Sequence, residues 1–105
     1  MRIIARRTLE EFWKLHPDSE KGLRSWYQEA LHASWKAPQG IKAQYRNASI
    51  LKRGRVVFNI AGNKYRLLCE VVFRIGVVYV KFVGTHEQYD AIDAENYHGK
   101  PVKGH

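Results

Sequence analysis

The apolar residues of the chain follow two different periods. In the first third of the sequence they recur every three or four positions, which is the period of an amphipathic α-helix. From Ser49 onward they alternate with polar residues, which is the period of a β-strand. Helices followed by consecutive strands with short turns predict the α+β class with an antiparallel sheet.

Two helices are predicted in the first part of the chain. The first opens at Thr8, which forms a capping box with Glu11, and it stops at Pro17. Asp18 or Ser19 caps a second, longer helix that ends before the segment KAP. The stripe of this second helix comprises Leu23, Trp26, Tyr27, Ala30, Leu31 and Ser34. We expect the two helices to form an antiparallel pair.

Three strands are predicted at 55–60, 64–74 and 77–86, with turns at the sequences AGN and IG. The first five residues, MRIIA, are compatible with a further short strand, and a helical turn is expected within 38–47. A short helix is expected after the last strand.

The turns fix a predicted strand register. A four-residue first turn places Asn59 opposite Arg66. The second turn places Glu70 opposite Lys81. The predicted core face comprises Val56, Phe58, Ile60, Tyr65, Leu67, Cys69, Val71, Phe73, Val78, Val80 and Phe82. The other face comprises Arg55, Asn59, Arg66, Glu70, Tyr79, Lys81 and Thr85, with Val57, Leu68, Val72 and Val83 between them.

Length and composition narrow the class of protein. A chain of 105 residues with 45% apolar residues fits one folded domain, which we place at 1–95 with a mobile polar tail at 96–105. The single cysteine, Cys69, excludes a disulfide framework, and a membrane-length apolar run and a signal-peptide pattern are both absent. These features favour a cytoplasmic protein.

The net charge of +8 favours a polyanionic partner, such as nucleic acid, an acidic protein or an anionic membrane surface. The candidate RNA-binding residues are Lys52, Arg53, Arg55, Asn59, Asn63 and Lys64, with Arg66 and Lys81 as further cations. The same pattern also fits a solvated sheet face with Glu70 and Lys81 as an ordinary cross-strand pair.

A second candidate group follows the last strand. Thr85 and Gln88 form a capping box, so His86 is the first helical residue, and Tyr89 lies one turn later. A histidine and a tyrosine beside arginines can act as general acid and base beside charge stabilisers. Alternation along the strand also permits a structural role for His86 in the core. The five histidines lack metal-ligand spacing, and we expect neither a metal nor another cofactor.

Two segments, RVVFNIAGNKYRL and VYVKFVGTHEQYDAID, resemble the HigB toxin family of type II toxin–antitoxin systems, which belongs to the RelE-like toxins. The segments HPDSEKGLRSWYQEALHASWKAP and IKAQYRNASIL resemble the same family. The resemblance extends from Ile3 to about Asp93. Its specificity comes from the combination of the Tyr-Arg-Leu motif with the Gly-Thr-His…Tyr-Asp motif.

The resemblance implies a small α+β domain in which an antiparallel sheet of three to five strands is packed by two N-terminal helices and followed by a short C-terminal helix. It implies an endoribonuclease that cleaves mRNA in the ribosomal A site, in contact with ribosomal RNA, without a metal. It also implies a HigA-type helix-turn-helix antitoxin as a partner, and operator DNA bound only through that antitoxin.

The matching positions imply the catalytic residues. Arg66 stands in the first motif, and His86 and Tyr89 stand in the second. We hypothesise that His86 is the base or acid, that Arg66 stabilises charge, and that Tyr89 is a proton donor or a base-positioning ring. Lys81 is a second cation in this hypothesis, and the amides of Asn59 and Asn63 orient RNA or hold the turn.

Two other functions remain open at this point. A non-catalytic RNA-binding or ribosome-binding module needs only the basic face, and it does not need His86 or Tyr89. A protein-interaction domain would use the same cations to dock an acidic partner and would show no RNA affinity at moderate salt.

Overall fold

The computed structural model describes residues 1–98, which form four α-helices and a five-stranded sheet. The helices are α1 (Arg6–Leu15), α2 (Glu20–Leu31), α3 (Pro38–Gln44) and α4 (His86–Asp90). The strands are β1 (Arg2–Ile4), β2 (Ser49–Ile50), β3 (Arg55–Ile60), β4 (Tyr65–Val72) and β5 (Val77–Thr85). Short 3₁₀ turns lie at Pro17–Ser19 and Lys52–Gly54. The predicted α+β class, the short first strand and the helical turn within 38–47 are confirmed.

The strands lie in the order β1-β5-β4-β3-β2, with β1 parallel to β5 and every other pair antiparallel. The first hairpin has the predicted register, since Ile60 pairs with Tyr65 and Asn59 pairs with Arg66. Ala61 and Gly62, in the turn between β3 and β4, have positive φ values of 55° and 70°. A glycine favours this conformation because it has no Cβ to clash with the backbone.

The predicted register of the second hairpin is wrong. Glu70 pairs with Tyr79 rather than with Lys81. Cys69 pairs with Val80, but Leu68 pairs with Phe82, so Lys81 is the extra residue of a β-bulge. The alternation of β5 therefore reverses after Lys81.

The bulge moves two apolar residues between faces of the sheet. Phe82, predicted in the core, lies on the opposite face, where its ring packs against Tyr89 and Tyr97 at centroid distances of 6.4 and 5.5 Å. Val83, predicted on the outer face, packs against the core instead. Sequence alternation cannot show such a reversal because the extra residue is itself polar.

The start of α1 also differs from the prediction. The helix begins at Arg6, directly after the extended residue Ala5, and no side chain caps it. Thr8 therefore lies inside the helix, and Glu11 pairs with Arg7 at 3.2 Å instead of forming a capping box. The chain passes from β1 into α1 without a loop, which sets the first helical residue earlier than the capping pattern indicates.

The polar residues of the turn between α1 and α2 do not cap α2, contrary to the prediction. The hydroxyl of Ser19 donates a hydrogen bond of 2.7 Å to the carbonyl of His16, and no side chain caps α2. The carboxylate of Asp18 points to the β3–β4 hairpin, where it accepts hydrogen bonds from Lys64 and Tyr65.

The core lies between the helices and one face of the sheet. The predicted strand residues other than Phe82 form it, together with Leu9, Leu23, Ile41 and all three tryptophans. Trp26 meets the ring of Phe58 edge-on at 5.3 Å, and Trp35 stacks on the same ring at 6.2 Å. All three tryptophans are therefore core residues. Among residues 1–98, no helix combines the length and apolarity needed to cross a bilayer.

The other face of the sheet is not open along its whole length. Val57 and Leu68 are buried there, and a C-terminal segment crosses it. The guanidinium of Arg55 donates a hydrogen bond of 2.9 Å to the carbonyl of Ala94, and Tyr97 contacts Phe82. The rest of the predicted mobile tail, 99–105, lies outside the described residues.

Candidate catalytic and RNA-binding site

The two motifs meet at one end of the sheet. Tyr65 of β4 pairs with Thr85 of β5, and the backbone N–H of His86 donates a hydrogen bond of 3.3 Å to the carbonyl of Lys64. The helix α4 therefore begins directly beside the hairpin turn. This contact brings together segments that lie about twenty residues apart in the sequence.

The predicted capping box at the start of α4 is confirmed. The hydroxyl of Thr85 accepts a hydrogen bond of 3.1 Å from the backbone N–H of Gln88. The side-chain oxygen of Gln88 accepts one of 2.9 Å from the backbone N–H of Thr85. These reciprocal bonds fix the direction in which α4 leaves β5, and so they fix His86 and Tyr89 relative to the sheet.

His86 lies on the surface, with 54% of its side chain exposed, so the alternative of a core histidine is wrong. Its Nδ1 lies 3.0 Å from a carboxylate oxygen of Asp90, one helical turn later. The ring is therefore held with Nδ1 toward Asp90, which leaves Nε2 directed away from that carboxylate. A carboxylate in this position sets the orientation of an imidazole.

Arg66 lies in the middle of the site. It stands between Asn59 of β3 and Gly84 of β5, and its guanidinium donates a hydrogen bond of 2.9 Å to the carbonyl of Asn63. The bond leaves several of the five guanidinium N–H groups available for an anion. Asn63 contributes its backbone carbonyl to this contact and thereby holds the hairpin turn.

Tyr89 lies within electrostatic reach of Arg66. Burial raises the pKa of the Tyr89 phenol above its ordinary value, and this effect outweighs the opposing influence of the nearby Arg66 cation. The carboxylate of Asp90 acts in the same direction as burial. The phenol is therefore protonated at neutral pH and can donate a proton or a hydrogen bond.

Lys64 is a second cation of the site besides Arg66, but the carboxylate of Asp18 partly compensates its charge. Its ammonium group pairs with Asp18, and the same carboxylate accepts a hydrogen bond of 2.5 Å from the hydroxyl of Tyr65. The contact with Lys64 lowers the pKa of Asp18, and the contact with Asp18 raises the pKa values of both partners. An anion that approaches Lys64 competes with a resident carboxylate.

Three of the predicted RNA-binding residues do not join this group. Arg55 has only 2% of its side chain exposed, and its guanidinium is committed to Glu70, at 3.3 Å, and to the carbonyl of Ala94. We therefore withdraw Arg55 as an RNA-binding residue. Lys52 and Arg53 are exposed but lie before β3, whereas the partner of Arg66 lies at the other end of that strand. With about 3.3 Å per strand residue, they lie more than about 13 Å away.

Lys81 occupies the bulge of β5, and its ammonium group lies 5.6 Å from the ring centroid of Tyr79. Lys81 is half-buried, and it lines a cleft together with Phe12 of α1 and Tyr97 of the C-terminal segment. The amide of Asn59 donates a hydrogen bond of 3.3 Å to the backbone carbonyl of Asn47, so it links the sheet to the segment after α3.

Two acidic residues of the site were not among the predicted ones. The spacing of four positions between His86 and Asp90 is a sequence signal that identifies the pair once α4 is assigned. Asp18 has no comparable signal, since its partner Lys64 lies 46 positions later. Only the packing of the α1–α2 turn against the hairpin brings them together.

Two other sequence features lie outside this group. Cys69 is buried, and burial raises the pKa of its thiol, so it is not a nucleophile at neutral pH. Within residues 1–98, no three side chains of the metal-binding types lie close enough to share an ion.

The arrangement places groups capable of acid–base chemistry beside a guanidinium, which is a group that can pair with phosphate. An imidazole with a carboxylate behind it and a protonated phenol lie on the same short helix, and a guanidinium lies on the adjacent strand. A small α+β domain with this site at the end of its sheet is the architecture expected for a RelE-like toxin.

The chain belongs to the HigB toxin family, whose description is the RelE-like toxic component of a toxin–antitoxin system, and the family pattern matches residues 19–92. It is similar to the mRNA interferase toxin HigB of Escherichia coli strain K12, with 26% identity over 96 residues that cover 90% of this chain and 92% of the relative. The mRNA interferase HigB of Shigella flexneri shows the same identity and coverage.

Proposed function

We propose that this chain is a toxin that acts as an mRNA interferase, an endoribonuclease that cleaves mRNA. The observation that carries the proposal is the meeting of His86, Tyr89 and Arg66 where α4 begins beside the β3–β4 hairpin. Its relatives are named mRNA interferases, which agrees with this chemistry. The predicted catalytic function therefore has support from the site and from the family.

In the proposed reaction, the 2′-hydroxyl of one nucleotide attacks the adjacent phosphorus. The imidazole of His86 removes the hydroxyl proton, and the new P–O bond forms a cyclic phosphate. The guanidinium of Arg66 stabilises the negative charge that develops on the phosphoryl oxygens. The phenol of Tyr89 donates its proton to the 5′-oxygen as the P–O bond to that oxygen breaks.

The contacts of each residue suit these roles. The Asp90 carboxylate orients the His86 ring and stabilises the imidazolium that forms when the ring accepts a proton. Tyr89 is protonated at neutral pH, since its pKa lies above the ordinary value of 10.0 as a result of burial. Arg66 is fixed by Asn63 at one nitrogen and has other N–H groups for the phosphate.

We further propose that the substrate is mRNA on the ribosome, with the chain in contact with ribosomal RNA in the A site. In this proposal the protein acts in the cytoplasm and is neutralised by a HigA-type helix-turn-helix antitoxin, through which alone it meets operator DNA. The basic charge of +8 supports a ribosomal location, since ribosomal RNA is a dense polyanion.

The test is induced expression in a bacterium, with growth followed alongside primer extension on a reporter mRNA. We expect growth arrest and discrete cuts that disappear when translation of the reporter is blocked. His86→Ala should abolish both, whereas Arg74→Ala, an exposed cation in the turn between β4 and β5, should abolish neither.

Other outcomes would contradict the proposal in different ways. Cuts that persist without translation of the reporter would argue against action on the ribosome. Growth arrest without cuts would favour the non-catalytic RNA-binding or ribosome-binding module, because that module binds RNA without cleaving it.

A further inference from the structure

A cleft of about 410 Å³ opens at the edge of the sheet, between the hairpin turn and the segment that leads from α3 to β2. Gln44, Arg46 and Asn47 form one side of it, and Asn59 and Gly62 form the other. Its volume lies in the range of small-ligand clefts, about 300–1,000 Å³. The catalytic proposal uses none of the residues on its first side.

The cleft is continuous with the candidate catalytic site. Asn59 lines the cleft and pairs directly with Arg66 across the β3–β4 ladder. Side chains in such pairs have Cβ atoms about 4.5–5.5 Å apart. Gly62 lies next to Asn63, whose carbonyl holds the Arg66 guanidinium. A strand of RNA with one phosphate at Arg66 therefore reaches the cleft with a neighbouring nucleotide.

The walls of the cleft are held in place by bonds to the rest of the fold. The Tyr45 ring meets Phe58 edge-on at 5.0 Å, and its hydroxyl donates a hydrogen bond to Glu29. The Asn47 carbonyl accepts a hydrogen bond of 3.3 Å from the Asn59 amide. The bond to Asn59 uses the backbone carbonyl of Asn47, so it leaves the Asn47 side chain free to meet a ligand.

The rim offers donors of the kinds that recognise nucleotides. Arg46 is exposed, and it forms no ion pair with a carboxylate of residues 1–98. The side-chain oxygen of Gln44 accepts a hydrogen bond of 3.1 Å from Trp35, which leaves its two N–H donors unused in that contact. The amide of Asn47 is exposed and carries both a donor and an acceptor.

We propose that this cleft is a nucleotide subsite that binds the residue adjacent to the cleaved phosphate of a single-stranded RNA. Arg46 contacts the phosphate of that nucleotide, and the amides of Gln44 and Asn47 contact the edge of its base. Unstacked bases of single-stranded RNA are read in this manner through their hydrogen-bonding edges. The subsite rests on the proposed function for the position of the cut, but its RNA affinity can be measured without cleavage.

The first measurement is binding of a fluorescently labelled, short single-stranded RNA to full-length protein carrying His86→Ala, so that the RNA stays intact. Arg46→Gln in that background should weaken binding about three- to tenfold and reduce the slope of log affinity against log salt by about 0.7, the value for one phosphate contact. Arg74→Gln removes one exposed cation at the other end of β4 and should change affinity less than about twofold.

Asn47→Ala tests reading of the base, because it removes the side-chain amide and keeps the carbonyl that Asn59 binds. We expect it to reduce the preference among homopolymeric RNA probes about tenfold while leaving the salt slope unchanged. In the otherwise unaltered protein, Asn47→Ala should redistribute the cuts on a reporter mRNA toward other flanking nucleotides.

The results separate the subsite from the catalytic proposal. RNA binding that depends on Arg46, together with no RNA cleavage by the unaltered protein, would support the subsite and contradict the proposed function. The subsite would be overturned if the Arg46→Gln and Arg74→Gln proteins bound the RNA probe equally well, or if the probe did not bind at all. An unchanged distribution of cuts with Asn47→Ala would overturn base reading. Equal competition by polyglutamate would instead indicate an acidic protein as the ligand.

Discussion

The carboxylate of Asp18 binds the ammonium group of Lys64 across 46 positions of the chain. The contact joins the turn between α1 and α2 to the hairpin that carries Arg66. It places a negative charge at the rim of a site that we propose binds phosphate. In that proposal Asp18 has two opposed effects, since it ties the helical layer to the hairpin and would compete with RNA for Lys64.

We therefore predict that Asp18→Asn strengthens RNA binding and weakens the fold. The amide cannot neutralise Lys64, so a phosphate meets an additional free cation, and the salt slope should steepen by up to about 0.7. The measurement is a salt titration of RNA binding with the His86→Ala protein as the parent. Glu95→Gln, which removes an exposed carboxylate that pairs with no cation of residues 1–98, is the control. Weaker RNA binding with Asp18→Asn would contradict competition.

The effect of Asp18 on stability should depend on pH in a defined direction. Its pKa is lowered in the folded protein, so its contribution is complete above the ordinary value of 3.8 and is lost as the pH falls through the lowered pKa. The pKa of Lys64 is raised, so its contribution persists through neutral pH and is lost only above 10.5. The melting temperature of Asp18→Asn should lie below that of wild type at pH 7, and this difference should disappear in strong acid. A constant gap would contradict this linkage.

The second prediction concerns the charge stabiliser. Arg66→Ala should reduce cleavage about 10²- to 10³-fold, which is the usual effect of removing one preorganised donor from a developing oxyanion. Arg66→Lys should recover only part of the loss, because an ammonium group cannot reproduce the planar fork of the guanidinium. Single-turnover cleavage on translating ribosomes measures the effect, with circular dichroism to establish that the variants fold. Full activity of Arg66→Ala would remove Arg66 from the mechanism.

The third prediction distinguishes the two roles considered for Tyr89. Tyr89→Phe keeps the ring and removes the proton, so a proton donor predicts a loss of about 10²-fold or more. A ring that only positions a base predicts almost none. Since burial raises the pKa of Tyr89, loss of the Tyr89 proton should lower the wild-type cleavage rate only at a pH above the ordinary value of 10.0. Near-normal cleavage by Tyr89→Phe beside inactive Tyr89→Ala would assign the positioning role instead.

The fourth prediction treats Arg55 as a structural residue. Arg55→Ala leaves the carboxylate of Glu70 and the carbonyl of Ala94 without their partner in a largely buried place, and it should cost about 2–4 kcal/mol of unfolding free energy. Arg53→Ala, at an exposed cation two positions earlier, should cost less than about 0.5 kcal/mol.

Urea denaturation measures both values for Arg55→Ala and Arg53→Ala. With His86→Ala as the parent protein, RNA binding by the folded fraction of Arg55→Ala should match that of the parent. A stable Arg55→Ala protein with weakened RNA affinity would restore the original prediction that Arg55 binds RNA.

Much of this architecture can be predicted from the sequence because local patterns determine it. The first hairpin register follows from the Gly62 turn, and the start of α4 follows from the Thr85–Gln88 capping box. Both depend on residues only a few positions apart. The meeting of Arg66 with the motif around His86 then follows from the pairing of adjacent strands.

The predictions that the structure contradicts have a different physical origin. A polar bulge residue, Lys81, is consistent with an outward-facing strand position, so alternation alone cannot identify it. The burial of Arg55 depends on a C-terminal segment that shows no periodic pattern. The apparent capping box of Thr8 is overridden by the direct passage from β1 into α1. In each case tertiary packing decides what local propensity leaves open.

The extra residue in β5 also determines which residue lies beside Arg66. The pairing of Glu70 with Tyr79, continued without a bulge, would place Val83 beside Arg66, but the bulge places Gly84 there instead. A Cβ at Gly84 would lie 2.6 Å from the Phe82 ring and 2.7 Å from the side-chain oxygen of Gln88. The guanidinium thus has as its neighbour on β5 a residue without a side chain. One inserted lysine therefore lets the Phe82 ring and the Gln88 side chain pack against the β5 backbone next to Arg66, in the place that a Cβ would otherwise occupy.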